Sequence, residues 1–225
     1  MGINVYFISG ITANCHVFDQ LELPEGHNKI YIEWLIPHPK DTLEEYTLKM
    51  AKDIDTTQPF ILVGYSFGGI IIQEMNRFLN PVKNIIIASV KNYEEFPPLL
   101  RFGRKIKFAE RFPWWSLTDN QKLKDLLARY IYQARDIDMF KYVSYTDPVY
   151  MKWSVHHILN WNSEIQCPNL YHIHGTRDIT FPHKYINDAY FVERGDHLMV
   201  MKRPKQINTI LAQILLGKQN QPLII

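Results

Sequence analysis

The stretch Val63-Gly64-Tyr65-Ser66-Phe67-Gly68-Gly69 constrains this chain more than any other. An apolar run precedes it and a helical run follows it. Gly-x-Ser-x-Gly in that setting requires a sharp turn from a buried strand into a helix. The serine at the apex takes a strained backbone conformation, and the residues beside it must be small because neighbouring backbone comes very close. Five residues also match such a pattern by chance, so the remainder of the chain has to supply the context.

That context is an alternation of strands and helices. Residues 3–9 form a nearly continuous apolar run ending in Ser9-Gly10, which suits a strand buried on both faces of a parallel sheet. A second strand is expected over 29–35, stopped by Pro37 and Pro39. Asp41 or Thr42 can then cap a helix in which Leu43, Thr47, Met50, Ala51 and Ile54 recur at helical spacing. Glu44 and Glu45 sit in its first turn, where the helix dipole favours them. Pro59 opens a third strand over 60–64. The run after Ser66 carries Ile70-Ile71-Ile72, which locally favours a strand; its place after the turn argues for a buried helix. A fourth strand is expected over 82–89. Such alternation implies a parallel sheet with right-handed crossovers and helices on both faces.

From about Lys91 to Ser163 the character changes. Aromatic residues crowd in, helices are plausible over 120–135 and 147–161, and no strand pattern is strong. This segment reads as a helical insertion between two strands. The sheet resumes over 169–174 and 189–193, and a last amphipathic helix over 204–216 ends at Gly217, a good C′ residue. The expected organisation is therefore a core of residues 1–90 and 164–225 with a helical cap of residues 91–163, built on a mostly parallel sheet of about six strands.

Composition excludes several classes. A net charge of +2 is too small to argue for nucleic acid. Cys15 and Cys167 have no metal-like spacing and read as buried free thiols. The N-terminal apolar run is short and lacks a basic start, Tyr6 stands where a myristoylation signal wants Ser or Thr, and no run approaches spanning length. The expectation is a soluble, cytoplasmic protein without stable membrane insertion.

Ligands in an open α/β sheet bind beyond the carboxyl ends of the strands. Four such ends carry chemistry: Gly10-Ile11, Ser66, Asp178 and His197. A serine hydroxyl needs an adjacent base, and His197 can take and return its proton. Asp178 can hold the imidazole tautomer and stabilise the imidazolium. An oxyanion needs two preorganised donors, for which the backbone N–H groups of Phe67 and Ile11 are the candidates. Alternatives for Asp178 are Asp188, Asp196, Glu94 and Glu95. His172 and His174 alternate along a strand and read as core or supporting residues, since no third ligand is spaced to join them on a metal. His156-His157 reads as structural or solvent-facing. The basic run Arg101, Arg104, Lys105, Lys107 and Arg111 reads as a solvated face, with an anionic substrate or membrane surface as the other possibility.

The chain resembles the α/β-hydrolase superfamily over nearly its whole length. The resemblance rests on Gly64-Tyr65-Ser66-Phe67-Gly68, on His174-Gly175-Thr176-Arg177-Asp178 followed by Pro182, on Gly195-Asp196-His197, and on the order Ser, Asp, His. It implies a carboxylesterase-like serine hydrolase with a cap inserted after the strand that follows the serine's helix. Two departures stand out. Ser9-Gly10 replaces the His-Gly often found after the first of these strands, and the chain begins about two strands short. The expected substrate is a small molecule, most simply a carboxylic ester with an apolar group, handled without cofactor or metal. Gly10, Tyr65, Phe112, Trp114 and Trp115 are the candidate pocket residues. The same triad could serve C–C, thioester or amide hydrolysis or a lyase reaction, and the same scaffold could be a non-catalytic small-molecule binder.

Overall fold

Six strands, β1 (Ile3–Ile8), β2 (His27–Ile32), β3 (Phe60–Tyr65), β4 (Lys83–Ile87), β5 (Leu170–Gly175) and β6 (Tyr190–Val192), join into one sheet in the order β2-β1-β3-β4-β5-β6. Every neighbouring pair is parallel. The computed structural model describes residues 2–116, 141–162 and 165–217. The strand order reverses between β1 and β3, so a crevice opens where their carboxyl ends diverge.

Period-two alternation assigns the two cores. Tyr6 and Ile8 of β1 and Leu62 of β3 enter one apolar cluster, while Val5, Phe7, Ile61, Val63 and Tyr65 enter the other. The first cluster is covered by α1 (Leu43–Met50) and α2 (Phe67–Met75), the second by the C-terminal helix Pro204–Leu215. Of the two proposed caps, Thr42 is the one used. Its hydroxyl accepts from Glu45 N at 3.1 Å while Glu45 Oε2 accepts from Thr42 N at 2.8 Å, a reciprocal capping box. Every residue of α2 is buried, so tertiary burial overrides the strand preference of its three isoleucines. The C-terminal helix ends as expected at Gly217, whose φ of +68° is the left-handed conformation glycine tolerates.

Boundaries differ in two places. Strand β2 begins two residues earlier than expected and stops at Ile32, which frees Glu33 and Trp34 to lie beyond its carboxyl end. Helix α2 stops at Met75, with Asn76 as its C-cap. Between β4 and β5 the described residues form α3 (Pro98–Lys105), α4 (Phe108–Arg111) and α5 (Pro148–Asn160). Helix α5 matches the expected 147–161 segment; Asp147 Oδ1 caps it by accepting from Val149 N and Tyr150 N. The helix expected over 120–135 lies outside the described residues. An isolated antiparallel bridge joins Val143 to Ala13, tying the inserted segment to the loop after β1. Among the described residues no helix is long and apolar enough to cross a membrane.

The burial of α2 predicts an asymmetric stability map. Ile71→Ala, at a fully buried position, is expected to cost about 2–5 kcal/mol. Leu48→Ala, on the exposed side of α1, is expected to stay within about 0.5 kcal/mol. Urea unfolding of both variants checks this, and equal midpoints would contradict it.

Candidate active site

Ser66 sits between β3 and α2 with φ 53° and ψ −116°, a conformation few non-glycine residues adopt. The flanking glycines are there for space. A Cβ on Gly64 would lie 2.3 Å from the Gly68 carbonyl oxygen, and one on Gly68 would lie 2.2 Å from the Ile8 oxygen and 2.5 Å from that of Ser9. These are backbone atoms, so no side-chain movement relieves the clash. The turn is held by Ser66 N–H donating to Ile87 O at 2.9 Å and by Ser89 Oγ donating to Ser66 O at 2.8 Å.

A hydrogen-bonded line runs away from the serine. His197 Nε2 is 3.0 Å from Ser66 Oγ, and His197 Nδ1 is 2.8 Å from Asp178 Oδ2. A carboxylate only accepts, so Nδ1 carries the proton and Nε2 presents its lone pair to the serine hydroxyl. The other carboxylate oxygen, Oδ1, accepts from Thr180 N at 2.8 Å and Phe181 N at 2.9 Å. Burial alone would raise the Asp178 carboxyl. The charge and hydrogen bond of His197, with His174 and the Phe181 N–H, outweigh it and hold the group below the usual carboxylate range.

The turns after β5 and β6 approach closely enough to bring Asp178 and His197 together. A Cβ on Gly175 would meet the Gly195 oxygen at 2.3 Å, and Arg177 N donates to that same oxygen at 2.8 Å. The alternative acids are engaged elsewhere or exposed. Glu95 is buried, its carboxyl raised by burial, but it accepts from Lys91 N at 2.7 Å. Asp196 pairs with Lys202 at 2.6 Å, and Glu94 and Asp188 are exposed.

Phe67 opens α2, so its N–H stands at the first helical position, before the helix's first backbone bond, which runs from Gly69 N to Ser66 O at 3.0 Å. Ile11 lines the same cavity as Ser66. The loop carrying Ile11 is held by Trp34, a residue the sequence pattern did not single out. Its Nε1–H lies 2.9 Å from Ser9 Oγ and 3.0 Å from Gly10 O, and its ring stacks on Phe67 at 5.2 Å and 11°. Ser9 Oγ in turn donates to Ala13 O at 2.6 Å. Serine and tryptophan together brace the loop at the Ser9-Gly10 departure. The sequence pattern put Trp34 inside the strand expected over 29–35, where an aromatic residue reads as core; the strand in fact stops at Ile32.

A cavity of about 190 Å³ opens over Ser66 and His197. Its described walls are Pro97, Leu99 and Leu100 from α3 and its approach, Val155, Ile158 and Leu159 from α5, and Ile179, Thr180 and Phe181 after β5. The expected pocket residues are placed differently. Tyr65 points into the core, and its hydroxyl donates to His197 O at 2.9 Å. Gly10 abuts Ser66 without lining the cavity. Phe112 is packed on Phe108 and Trp114, and Trp114 faces a separate groove with Pro39 and Trp153. Trp115 is 73% exposed. The described walls contributed by residues 91–163 are Pro97, Leu99, Leu100, Val155, Ile158 and Leu159, none of them aromatic.

The other candidates do not line the cavity over Ser66. Arg101 and Arg104 lie 5.4 and 5.1 Å over the Tyr93 ring, while Lys105, Lys107 and Arg111 are exposed. His156 pairs with Glu110 at 2.7 Å. His157 lies 3.3 Å from Asp41 O, and burial, assisted by His156, pushes it down to about 4. Both cysteines are free; burial pushes Cys15 up to about 12 and Cys167 to about 11.

No family model and no curated protein matches the sequence. Solved structures do match it in fold. A structure described under novel epoxide hydrolases of the alpha/beta hydrolases superfamily, from metagenomes of hot environments, superposes with a TM-score of 0.70 at 12% identity, covering 96% of this chain and 91% of that one. A thermophilic esterase from Thermogutta terrifontis gives 0.64 at 14% identity, covering 97% and 90%. A lipase-esterase related protein from Clostridium acetobutylicum gives 0.65 at 15%, covering 92% of each. The chain has the α/β-hydrolase fold.

The glycine contacts make a sharp contrast testable. Gly68→Ala forces backbone apart and is expected to lose more than about 4 kcal/mol or to fail to fold. In Gly10→Ala the new methyl meets only the Tyr65 ring and Ser66 Cβ at 3.1–3.3 Å, for an expected cost of roughly 1–3 kcal/mol. Thermal unfolding ranks the two, and the reverse order would refute the packing argument.

Proposed function

We propose that the chain is a serine hydrolase that cleaves carboxylic esters with a small, neutral, apolar acyl group. The observation that carries this reading is the line Asp178–His197–Ser66, whose serine end opens into an apolar cavity. Ser66 Oγ attacks the ester carbonyl carbon as His197 Nε2 takes the hydroxyl proton. The oxyanion that forms is met by the N–H groups of Phe67 and Ile11 at the positive end of α2. The intermediate collapses, the C–O bond to the alcohol breaks, and His197 returns its proton to the leaving oxygen. Water then attacks the acyl-serine with His197 again as base, releasing the acid and restoring Ser66. Asp178 holds the imidazole in the Nδ1–H tautomer and stabilises the imidazolium throughout. This chemistry asks for no cofactor or metal.

The cavity walls support the substrate class. No charged side chain is among the described lining residues, so a charged acyl group would be desolvated without a partner. A volume of about 190 Å³ is below the usual size of a pocket for a drug-sized ligand and suits a small acyl group. The esterase and lipase-esterase related structures that share the fold are consistent with ester chemistry. We assign residues 91–163 as a cap on a core of residues 1–90 and 164–225. Helices α3 and α5 of that segment meet over the serine, where Gly103 lets Leu159 approach; a Cβ on Gly103 would be 3.3 Å from Leu159 Cδ2.

A panel of p-nitrophenyl esters from acetate to decanoate tests the reading. Activity is expected to peak near four to six acyl carbons, and Ser66→Ala is expected to lose at least about a thousandfold in kcat/KM. Leu159→Ala should move the peak to longer chains, and Gly103→Ala, by pressing Leu159 into the cavity, to shorter ones. A folded Ser66→Ala protein with full activity would overturn the mechanism; a chain-length profile unmoved by both cap variants would overturn the acyl assignment.

A further inference from the structure

Two imidazoles lie buried behind the acid. His172 and His174, both in β5, are essentially inaccessible to solvent. Burying polar rings is costly unless their nitrogens are paired; three of the four are, and His172 Nδ1 is buried without a hydrogen-bond partner among the described residues. His174 Nε2 is 2.8 Å from Phe181 O, and a carbonyl oxygen only accepts, so Nε2 carries the proton. Burial holds His174 below its ordinary range, so the ring is neutral and its Nδ1 is an acceptor. That Nδ1 lies 3.1 Å from His172 Nε2, which must therefore donate to it. Burial, reinforced by His174, keeps His172 neutral as well. The two rings form a directed chain of hydrogen bonds, His172 to His174 to the Phe181 carbonyl.

The Phe181 residue is where this chain meets the acid. Its carbonyl accepts from His174 while its own N–H donates to Asp178 Oδ1 at 2.9 Å. Its ring packs edge-on against the His197 imidazole, 5.6 Å between centroids. His174 Nε2 also stands 3.8 Å from Asp178 Oδ2, the oxygen that holds His197. The loop from Asp178 to Phe181 is thus gripped from β5 at one point and grips the base at two.

We infer that His174, locked in its Nε2–H tautomer by His172, is a positioning residue that holds the Asp178 carboxylate in register with His197 through the Phe181 backbone. The inference rests on the proposed triad. Occupation of Nδ1 by the His172 donor has a second effect. His174 can take up a proton there only by giving up that hydrogen bond, so it stays neutral and does not compete with His197 for Asp178 Oδ2. Among the described residues, the titratable groups facing these rings are Asp178, His197 and His183 around His174, and His174 and Lys91 around His172.

The test is a pair of variants at one position. His174→Met fills the space without a donor, whereas the Gln side chain in His174→Gln places an amide N–H near the original Nε2. With the p-nitrophenyl butyrate assay, His174→Met is expected to lose about 10–100-fold in kcat with KM within about threefold. The acid limb of its kcat/KM profile should move to lower pH, because a less well-held carboxylate stabilises the His197 imidazolium less. His174→Gln should recover most of the rate and the wild-type limb. Proton NMR reads the same point without substrate. The downfield N–H resonance of the Asp178–His197 hydrogen bond should be sharp in wild type and His174→Gln, and broadened or shifted upfield in His174→Met. If His174→Met does not fold, His172→Leu removes only the donor to His174 Nδ1 and should lower kcat several-fold with the same change in the resonance. A folded His174→Met or His172→Leu protein with wild-type kcat, pH profile and resonance would overturn the role. Equal losses in the Met and Gln variants would reduce it to packing. Absence of Ser66-dependent turnover in the wild type alongside the expected resonance changes would overturn the ester reading and leave the positioning role intact.

Discussion

The contact on which the structure depends most is the approach of Gly68 to the Ile8 and Ser9 carbonyls, so close that a methyl group there would lie 2.2 Å from an oxygen. It brings the start of α2 down onto the end of β1, and with Ser66 in a left-handed conformation it lifts the serine clear of the sheet. Strain of this kind persists only where the surroundings over-determine it. Here they do: Ile87 O, Ser89 Oγ and the stacked Trp34–Phe67 pair all hold the turn. The same approach sets the loop after β1, which carries Ile11, beside the serine.

A second constraint operates at the far end of the sheet. The Gly175 and Gly195 backbones touch, so the turns after β5 and β6 cannot separate without unzipping the edge strand. Asp178 and His197 are presented from these two turns. Tyr65 links the two constraints. It precedes Ser66 in the chain, its ring lies 5.6 Å from that of His197, and its hydroxyl holds the His197 carbonyl. Ser66 and His197 are thus tied to one side chain, and Asp178 is tied to His174 of β5 through the Phe181 backbone. Such multiple bracing is what a site needs if its reacting groups are to be set before substrate arrives.

Much of this was legible in the residues because the features are local or strongly periodic. The parallel sheet followed from apolar runs at regular intervals, the capping of α1 from Thr42 and Glu45, and the helix stop from Gly217. Ser66, Asp178 and His197 were legible because each lies just past a strand end. The cavity walls were not. Leu100, Leu159 and Ile179 are ordinary aliphatic residues whose role depends on how α3 and α5 sit over the sheet, a long-range fact with no local signal. The aromatic residues were misleading for the same reason. Trp114 and Phe112 pack on one another, and Tyr65 faces inward. Trp34 and the His172–His174 pair were visible as residues, but their significance lies in which group each ring nitrogen reaches.

The central claim is that Ser66 is an activated nucleophile. The most direct measurement is labelling of the folded protein with a fluorophosphonate, followed by peptide mapping. The account predicts one label per chain, on Ser66, with a rate reduced at least about a hundredfold in His197→Ala. A folded protein that takes no label, or takes it at Ser9 or Ser89 instead, would contradict it.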